Sequence, residues 1–363
     1  MEAAAWSIVG TVLVVLALVA GLIWWVRRGR DAGSDRQQAA PRDERPLVTI
    51  VVNPTKFDDL DPVQHQIDAL AHAHGWRTSW RETTVEDPGT GQTRGAVEAG
   101  SQIVCALGGD GTVRSVAAGL LHSSVPMGLL PAGTGNLLAR NLDLDIDSLE
   151  SCFLVAINGD DRRIDVGRLV VAPEETQDDA RDYYFLVMAG LGFDAAVMAQ
   201  APEKLKATVG WGAYVVSGLT QLDGPRFEVG LVTDGELATR RKVRSIVLGN
   251  VGRLQGGVEL LPDAEVDDGC LDVVLLAPEG VAGWAAVALR ILTKRRKGHK
   301  RVEHFQCQSL GIDLAGYHHE ELQLDGDPIG PARSLTASIV PKALTVRVPT
   351  GSRPAAVRAD VGA

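Results

Sequence analysis

An α/β architecture in two parts is predicted, a Rossmann-like three-layer α/β domain over residues 47–160 and an antiparallel β-rich domain over 161–348. Three observations carry this. From Leu47 onward short apolar runs alternate with helically spaced apolar segments, the pattern of a parallel sheet with crossover helices. Two Gly/Thr-rich turns follow successive apolar runs, where a parallel sheet opens its ligand crevice. From Arg163 the texture changes to strand-like runs separated by turn-rich or acidic stretches, as an antiparallel domain requires.

Ahead of both parts, Trp6 to Val26 is an uncharged run of 21 residues, long enough to span a bilayer as a helix. Trp24 and Trp25 stand at the position of an interfacial belt, and Arg27, Arg28 and Arg30 follow. By the positive-inside rule, residues 1–28 form a single-pass anchor in the cell membrane with the body of the chain cytoplasmic. A cleaved signal peptide would carry its positive charge before the apolar run. Residues 29–46 lack an apolar period and read as a disordered tether, spanning roughly 20–25 Å as a flexible coil.

Leu47 to Val52 reads as a strand ending in Asn53-Pro54-Thr55-Lys56; Val63 to His74 reads as a helix, and Trp76 to Thr83 as extended chain. Ile103 to Leu107 and Met127 to Leu130 are buried strands, each leading through a glycine turn into a helix, Val113–Leu121 and Leu137–Asn141. Strand-like runs follow at Arg163–Val171, Tyr183–Leu191, Phe227–Val232, Val243–Leu248, Leu271–Leu276 and Ala343–Val348, with helical interruptions near Glu203–Leu222 and Val281–Thr293. Residues 172–182 read as a solvated acidic loop and 349–363 as a disordered tail.

The formal charge of −10 argues against general affinity for nucleic acid, which needs a basic surface. Cys105, Cys152, Cys270 and Cys307 have no metal-like spacing and read as reduced. His72, His74, His318 and His319 lack companion ligands and read as surface residues. In this acidic chain Lys294-Arg295-Arg296-Lys297, with Lys300 and Arg301, forms a basic run suited to an anionic inner leaflet, the plain alternative being an ordinary exposed helix end.

The chemistry concentrates in Gly108-Gly109-Asp110-Gly111-Thr112. Glycines admit backbone angles closed to other residues and let a ligand approach the main chain, and Thr112 reads as the N-cap of the next helix. A helix N-terminus facing such a turn suits phosphate. Asp110 would repel that phosphate unless a divalent cation lies between them, which points to Mg²⁺. The second turn, Gly133-Thr134-Gly135-Asn136, completes a cradle; no Walker lysine motif or dinucleotide fingerprint occurs elsewhere.

In the order and spacing of these two motifs the sequence resembles the diacylglycerol kinase catalytic family, which includes bacterial lipid kinases and sphingosine and ceramide kinases. The resemblance covers Leu47 to Val348. It implies an NAD kinase/diacylglycerol kinase-like fold with a β-sandwich-like second domain, and the cofactors ATP and Mg²⁺. By the match, Asn53, Gly108, Gly109, Asp110, Gly111, Thr112, Gly133, Thr134, Gly135 and Asn136 bind the nucleotide. Asp110 enters the metal network, and Asp165 aligns with an aspartate at the domain junction that joins it, the plain alternative being a turn aspartate at a strand end. In Leu324-Asp325-Gly326-Asp327 the last residue aligns with a family glutamate taken as general base; the plain alternative is an Asp-Gly hairpin turn. Asp268, with the carbonyls of Glu265 and Cys270, matches a second, structural Mg²⁺ site of some members.

The chain departs from the family at Lys56, which stands near the place of a serine-glycine, and at Ser115 and Leu137, which replace common carboxylates. Asp327 is one methylene shorter than the family glutamate. The expectation is a membrane-anchored, ATP- and Mg²⁺-dependent lipid kinase, with diacylglycerol as the default acceptor and phosphatidic acid as product. A sphingoid-base or other lipid kinase, an NAD kinase-like enzyme acting on a soluble substrate, and a non-catalytic nucleotide or lipid sensor are the alternatives. The expected partners are a lipid substrate and the anionic inner leaflet, without nucleic acid; a homodimer is left open.

Overall fold

The computed structural model describes residues 19, 44–172, 180–192, 226–253, 260–280, 283, 302–314, 316 and 319–352. The expected membrane anchor (apart from residue 19), most of the tether, the helices expected at 203–222 and 281–293 (apart from residue 283) and the basic run at 294–301 lie outside them. Among the described residues no helix is long and apolar enough to cross a membrane. The chain divides into two compact units, Met1–Arg45 and Pro46–Ala363, and the second contains everything described below.

The N-terminal half is a parallel sheet in the order β2-β1-β3-β4, formed by Leu47–Val52 (β1), Arg77–Glu82 (β2), Ile103–Gly108 (β3) and Met127–Pro131 (β4). β1 and β3 are buried along their whole length, which is why they read as apolar runs, broken in β1 only by the buried Thr49, and not as alternation. The crossover helices are Asp61–Ala73 (α1), Thr90–Glu98 (α2) and Asp110–Leu120 (α3), and Leu137–Asn141 (α4) and Leu149–Asn158 (α5) follow β4. Chain order reverses between β1 and β3, so the crevice of this sheet opens at their C-terminal ends.

The second half does not begin with a new sheet. Asp160–Val171 (β5) pairs along the length of Ser334–Val348 (β16), and β16 adds in parallel to β4 at Val346 opposite Met127. Among the described residues the sheet counts ten strands, including Arg181–Phe185 (β6), Phe227–Thr233 (β8), Thr239–Val243 (β9) and Ser309–Leu314 (β13). The hydrogen bonding therefore continues across the domain boundary expected at residue 160.

A six-stranded antiparallel sheet, order β12-β11-β10-β7-β14-β15, forms the other layer. Its strands are Met188–Gly192 (β7), Ser245–Gly249 (β10), Leu271–Leu276 (β11), Val302–Cys307 (β12), Glu320–Leu324 (β14) and Asp327–Ala332 (β15). Leu169, Phe185, Leu191, Ile246, Val273 and Leu335 belong to the buried cluster shared by the two sheets, a β-sandwich core. The run expected as one strand, Tyr183–Leu191, is two: β6 pairs β5 in the large sheet and β7 pairs β10 and β14 in the small one. The chain changes sheets at Leu186-Val187, a crossing that leaves buried backbone N–H groups in need of acceptors.

Candidate active site

The first glycine turn lies between β3 and α3. Gly109 is the N-cap of α3, with extended backbone and no side-chain cap, and the helix begins at Asp110. Thr112 is therefore not the cap; it is buried in the first turn, packed against Gly108. None of Gly108, Gly109 and Gly111 has a positive φ, so unusual backbone angles do not explain these glycines. Close approach does. A Cβ on Gly108 would lie 2.5 Å from Thr112 Oγ1, one on Gly111 2.8 Å from Asp327 Oδ2, and one on Gly133 2.6 Å from Gly109 Cα. The two glycine turns thus touch each other, and a carboxylate from the far end of the chain touches the first of them.

Gly109 is the exception, because a Cβ there would meet Gly133 Cα at 3.6 Å, an ordinary contact, and Lys56 Cε at 3.9 Å. The space over Gly109 is bounded by the second turn and the stem of Lys56, at an uncapped helix N-terminus. Such a place suits a phosphate, with Lys56 as a further cation.

Asp110 does not point freely into this space. Its Oδ2 accepts the Asn136 N–H at 2.9 Å and its Oδ1 the Leu137 N–H at 2.7 Å, which locks the start of α4 to the start of α3. Burial, reinforced by Asp325 and Asp327, pushes its carboxyl up to about 6. Asn136 has φ 49° and closes its own turn, Oδ1 accepting from Gly133 N and Nδ2 donating to Gly133 O. Asn53 does the same after β1, accepting from Thr55 N and Thr55 Oγ1. Asn136 thus shapes the second glycine turn with its side chain, and Asn53 its own turn after β1. Gly135 lies against the Asp110 carboxylate, and Thr134 is exposed at the rim.

The Asp325-Gly326 pair is a two-residue hairpin turn between β14 and β15, with φ 50° and 94° at its two positions and Leu324 opposite Asp327. The plain reading of this motif, an Asp-Gly hairpin turn, holds. Asp325 is buried and takes the N–H groups exposed by the sheet crossing: Val187 N at 2.9 Å and Met188 N at 3.0 Å on Oδ1, and Leu186 N at 3.2 Å on Oδ2. Burial raises its pKa all the same. Asp327, the next residue but one, leaves the turn exposed and lies against Gly111.

Arg114, which the sequence did not single out, joins these groups. Its Nη2 donates to Asp327 Oδ2 at 2.8 Å and its Nη1 to the Leu324 carbonyl at 2.7 Å, and Nη1 stands 3.7 Å from Asp325 Oδ2. The only available signal was its place one turn into the helix that opens at the glycine cradle.

Asp165 does not join Asp110. It is fully buried, its Oδ1 accepting from Lys342 N and its Oδ2 from Gly269 N, both at 2.6 Å. It sits where β16 carries a bulge between Val340 and Leu344, so it clamps an irregular point in the large sheet. Its pKa is raised, first by burial. Asp268 Oδ1 accepts from Cys270 N at 2.9 Å within its own loop; shielding of the carboxyl, then Asp272, Asp165 and Glu265, push it up to about 6. The three expected metal carboxylates thus occupy two places, and among the described residues no three His, Cys, Asp or Glu side chains gather as a metal cage.

A family model described as the diacylglycerol kinase catalytic domain matches residues 48–169. A second, described as the YegS C-terminal NAD kinase beta sandwich-like domain, matches residues 187–348. A Pseudomonas syringae pv. tomato protein named "Probable lipid kinase YegS-like" is 30% identical over 290 residues, 78% of this chain and 89% of its own length. One of the same name from Chromohalobacter salexigens is 29% identical over 301 residues, 82% and 92% of the two chains. The crystal structure of a diacylglycerol kinase from Bacillus anthracis superposes with a TM-score of 0.60 over 86% of this chain and 99% of that one, at 18% identity, a likeness of fold.

Proposed function

The chain belongs to the diacylglycerol kinase catalytic family, among its YegS-like lipid kinases, and from that premise we propose that it transfers the γ-phosphate of ATP to the hydroxyl of a membrane lipid. Diacylglycerol, giving phosphatidic acid, is the first acceptor to test; a sphingoid base or another glycerolipid would use the same chemistry. Family membership favours a lipid over NAD and a catalyst over a silent sensor. The single observation that supports the site is Asp327, brought from the C-terminal hairpin to the first turn of α3, against Gly111.

In this reading the phosphates lie over Gly109, held by the N–H groups at the start of α3 and by the second glycine turn, with Lys56 alongside. The acceptor hydroxyl oxygen attacks the γ-phosphorus, the bond from that phosphorus to the β,γ-bridging oxygen breaks, and ADP leaves. Asp327 takes the hydroxyl proton. Asp110, Asp325 and Asp327 gather around Arg114 beside the phosphate site, a carboxyl-rich lining that fits a divalent cation. Mg²⁺ carried on the phosphates, with Asp110 as its protein carboxylate, would supply charge neutralisation. Asp268, with the carbonyls of Glu265 and Cys270, would be the place of a second, structural Mg²⁺.

The uncharged run at residues 6–26 and the arginines after it support anchorage to the inner leaflet, which would put enzyme and acceptor on one surface and raise their effective concentration. The test is to incubate the full chain in lipid vesicles with γ-labelled ATP, Mg²⁺ and a total membrane-lipid extract, beside Asp327→Asn. A labelled lipid that disappears with the variant supports the reading and identifies the acceptor; label on NAD and on no lipid overturns it.

A further inference from the structure

We infer that Arg114 is a positioning residue for the transfer, holding the Asp327 carboxylate at the mouth of the phosphate cradle; this rests on the reading of Asp327 as the base. The guanidinium forks across the hairpin turn. Nη1 takes the carbonyl of Leu324 at the end of β14, and Nη2 takes Asp327 Oδ2 at the start of β15, so α3 grips both strands at once. The helix that carries the grip is the one whose N-terminus forms the cradle, so Asp327 is fixed relative to the phosphates through four residues of helix.

A purely structural tie explains this poorly. Asp325, the buried member of the turn, already accepts three backbone N–H groups and stands 3.7 Å from the guanidinium, beyond hydrogen-bond reach. The strong bond goes to Asp327, whose side chain is 54% exposed. An ion pair with an exposed partner contributes little to stability. What it does accomplish is geometric. The aspartate side chain is short and fixed to the end of a turn, and Gly111 leaves it room only because it has no Cβ. A planar fork selects one orientation of hairpin and carboxylate, which a single ammonium cannot do.

The experiment measures kcat, acceptor KM and ATP affinity for the full chain in vesicles, with dioleoylglycerol or whichever extract lipid accepts label, in wild type, Arg114→Gln, Arg114→Lys, Asp327→Asn and the double variant Arg114→Gln/Asp327→Asn. Misplacing a reacting group by about 1 Å costs about 100-fold. Arg114→Gln is therefore expected to lower kcat about 100-fold, with ATP affinity and acceptor KM changed less than about threefold. Arg114→Lys is expected to recover about tenfold of that loss, because it restores the charge without the fork. On the Asp327→Asn background Arg114→Gln should lower the residual rate no further.

A loss confined to ATP affinity would make Arg114 a phosphate ligand and overturn the inference. So would losses that multiply in the double variant, or an Arg114→Lys enzyme with unchanged kcat; the lysine variant decides the matter if Arg114→Gln does not fold. Full activity of Asp327→Asn would instead remove the base, and a wild-type chain that labels no lipid would remove the kinase reading; either takes this role with it. An inactive Asp327→Asn beside a fully active Arg114→Gln overturns the positioning role alone.

Discussion

Gly109→Ala separates the ligand from the fold more cleanly than any other substitution in the cradle. The backbone there is extended, φ −89° and ψ −173°, which alanine adopts freely, and the new methyl would meet Gly133 Cα at 3.6 Å. Replacing glycine at such a position stabilises a fold by about 0.4–1 kcal/mol through the unfolded chain. Melting should rise by no more than about 2 °C. The same methyl occupies the space in which a phosphate would contact the uncapped start of α3. Hydrogen bonds to a charged group contribute about 1.5–3 kcal/mol each, so losing one removes about that much. ATP affinity should fall about 10- to 150-fold. Gly109→Asp adds a charge next to Lys56 and should abolish binding while the protein remains folded. Gly133→Ala is the contrasting control. Its Cβ would be forced to 2.6 Å from Gly109 Cα, so the turns must part at a cost of about 1–3 kcal/mol and both stability and affinity fall. Calorimetric titration with ATP beside thermal melts reads all three. A stable Gly109→Ala protein that binds ATP as wild type does would refute the placement of the phosphates.

Asp325→Asn puts an amide where three backbone N–H groups converge; leaving one of these donors unmet costs about 1–3 kcal/mol, seen as a lower melting temperature and, through displacement of Asp327, a lower kcat. Lys56→Ala should weaken ATP binding by about tenfold without moving the melt, since its ammonium is exposed and its stem only flanks Gly109. Asp268 gives a pH signature: its folded pKa, about 6, lies above the ordinary 3.8, so its destabilising effect is absent well below pH 4, grows between those values and is complete above pH 6. Asp268→Asn keeps an oxygen for Cys270 N, so it should melt higher than wild type at pH 7.5 and level with it near pH 3.5; stabilisation of wild type, and not of the variant, by millimolar Mg²⁺ would instead favour a metal role for this loop.

Much of the α/β half was legible because its signals are local. β1 and β3 are apolar runs buried on both faces, and each glycine turn joins a strand to its helix within a few residues. Val302–Cys307 escaped notice because only its last residue is buried, and a half-exposed strand with charged positions carries no strong period; Ser309–Leu314 does alternate, with Leu310, Ile312 and Leu314 buried, but over only six residues. The sheet change within Tyr183–Leu191 escaped for another reason. Both halves are apolar because both face the sandwich core, and only the pairing partners distinguish them. Thr112 was misread because threonine suits an N-cap in general, whereas here Gly109 occupies the cap and leaves the helix end open toward the ligand space.

The carboxylates divide along the same line. Sequence identifies Asp110, Asp165, Asp268, Asp325 and Asp327 as acids in turns, and nothing local says which of them face solvent and which face backbone. The structure assigns Asp110, Asp165 and Asp325 chiefly to orphan N–H groups: at the start of α4, at the β16 bulge with the Gly269 loop, and at the sheet crossing. Each stands where a strand or helix begins or breaks, which is where unpaired donors arise. Asp327 differs. It lies two residues beyond Asp325, and its carboxylate accepts from a side chain, the Arg114 guanidinium. Its neighbour in the turn is consumed in holding the two sheets together, and that rigid attachment is what makes an exposed aspartate at a hairpin tip a defined point in space. The proposed base therefore inherits its precision from the junction of the sandwich and from the helix that bears the cradle. Substitutions that loosen Asp325 should accordingly be read first in kcat and only then in binding.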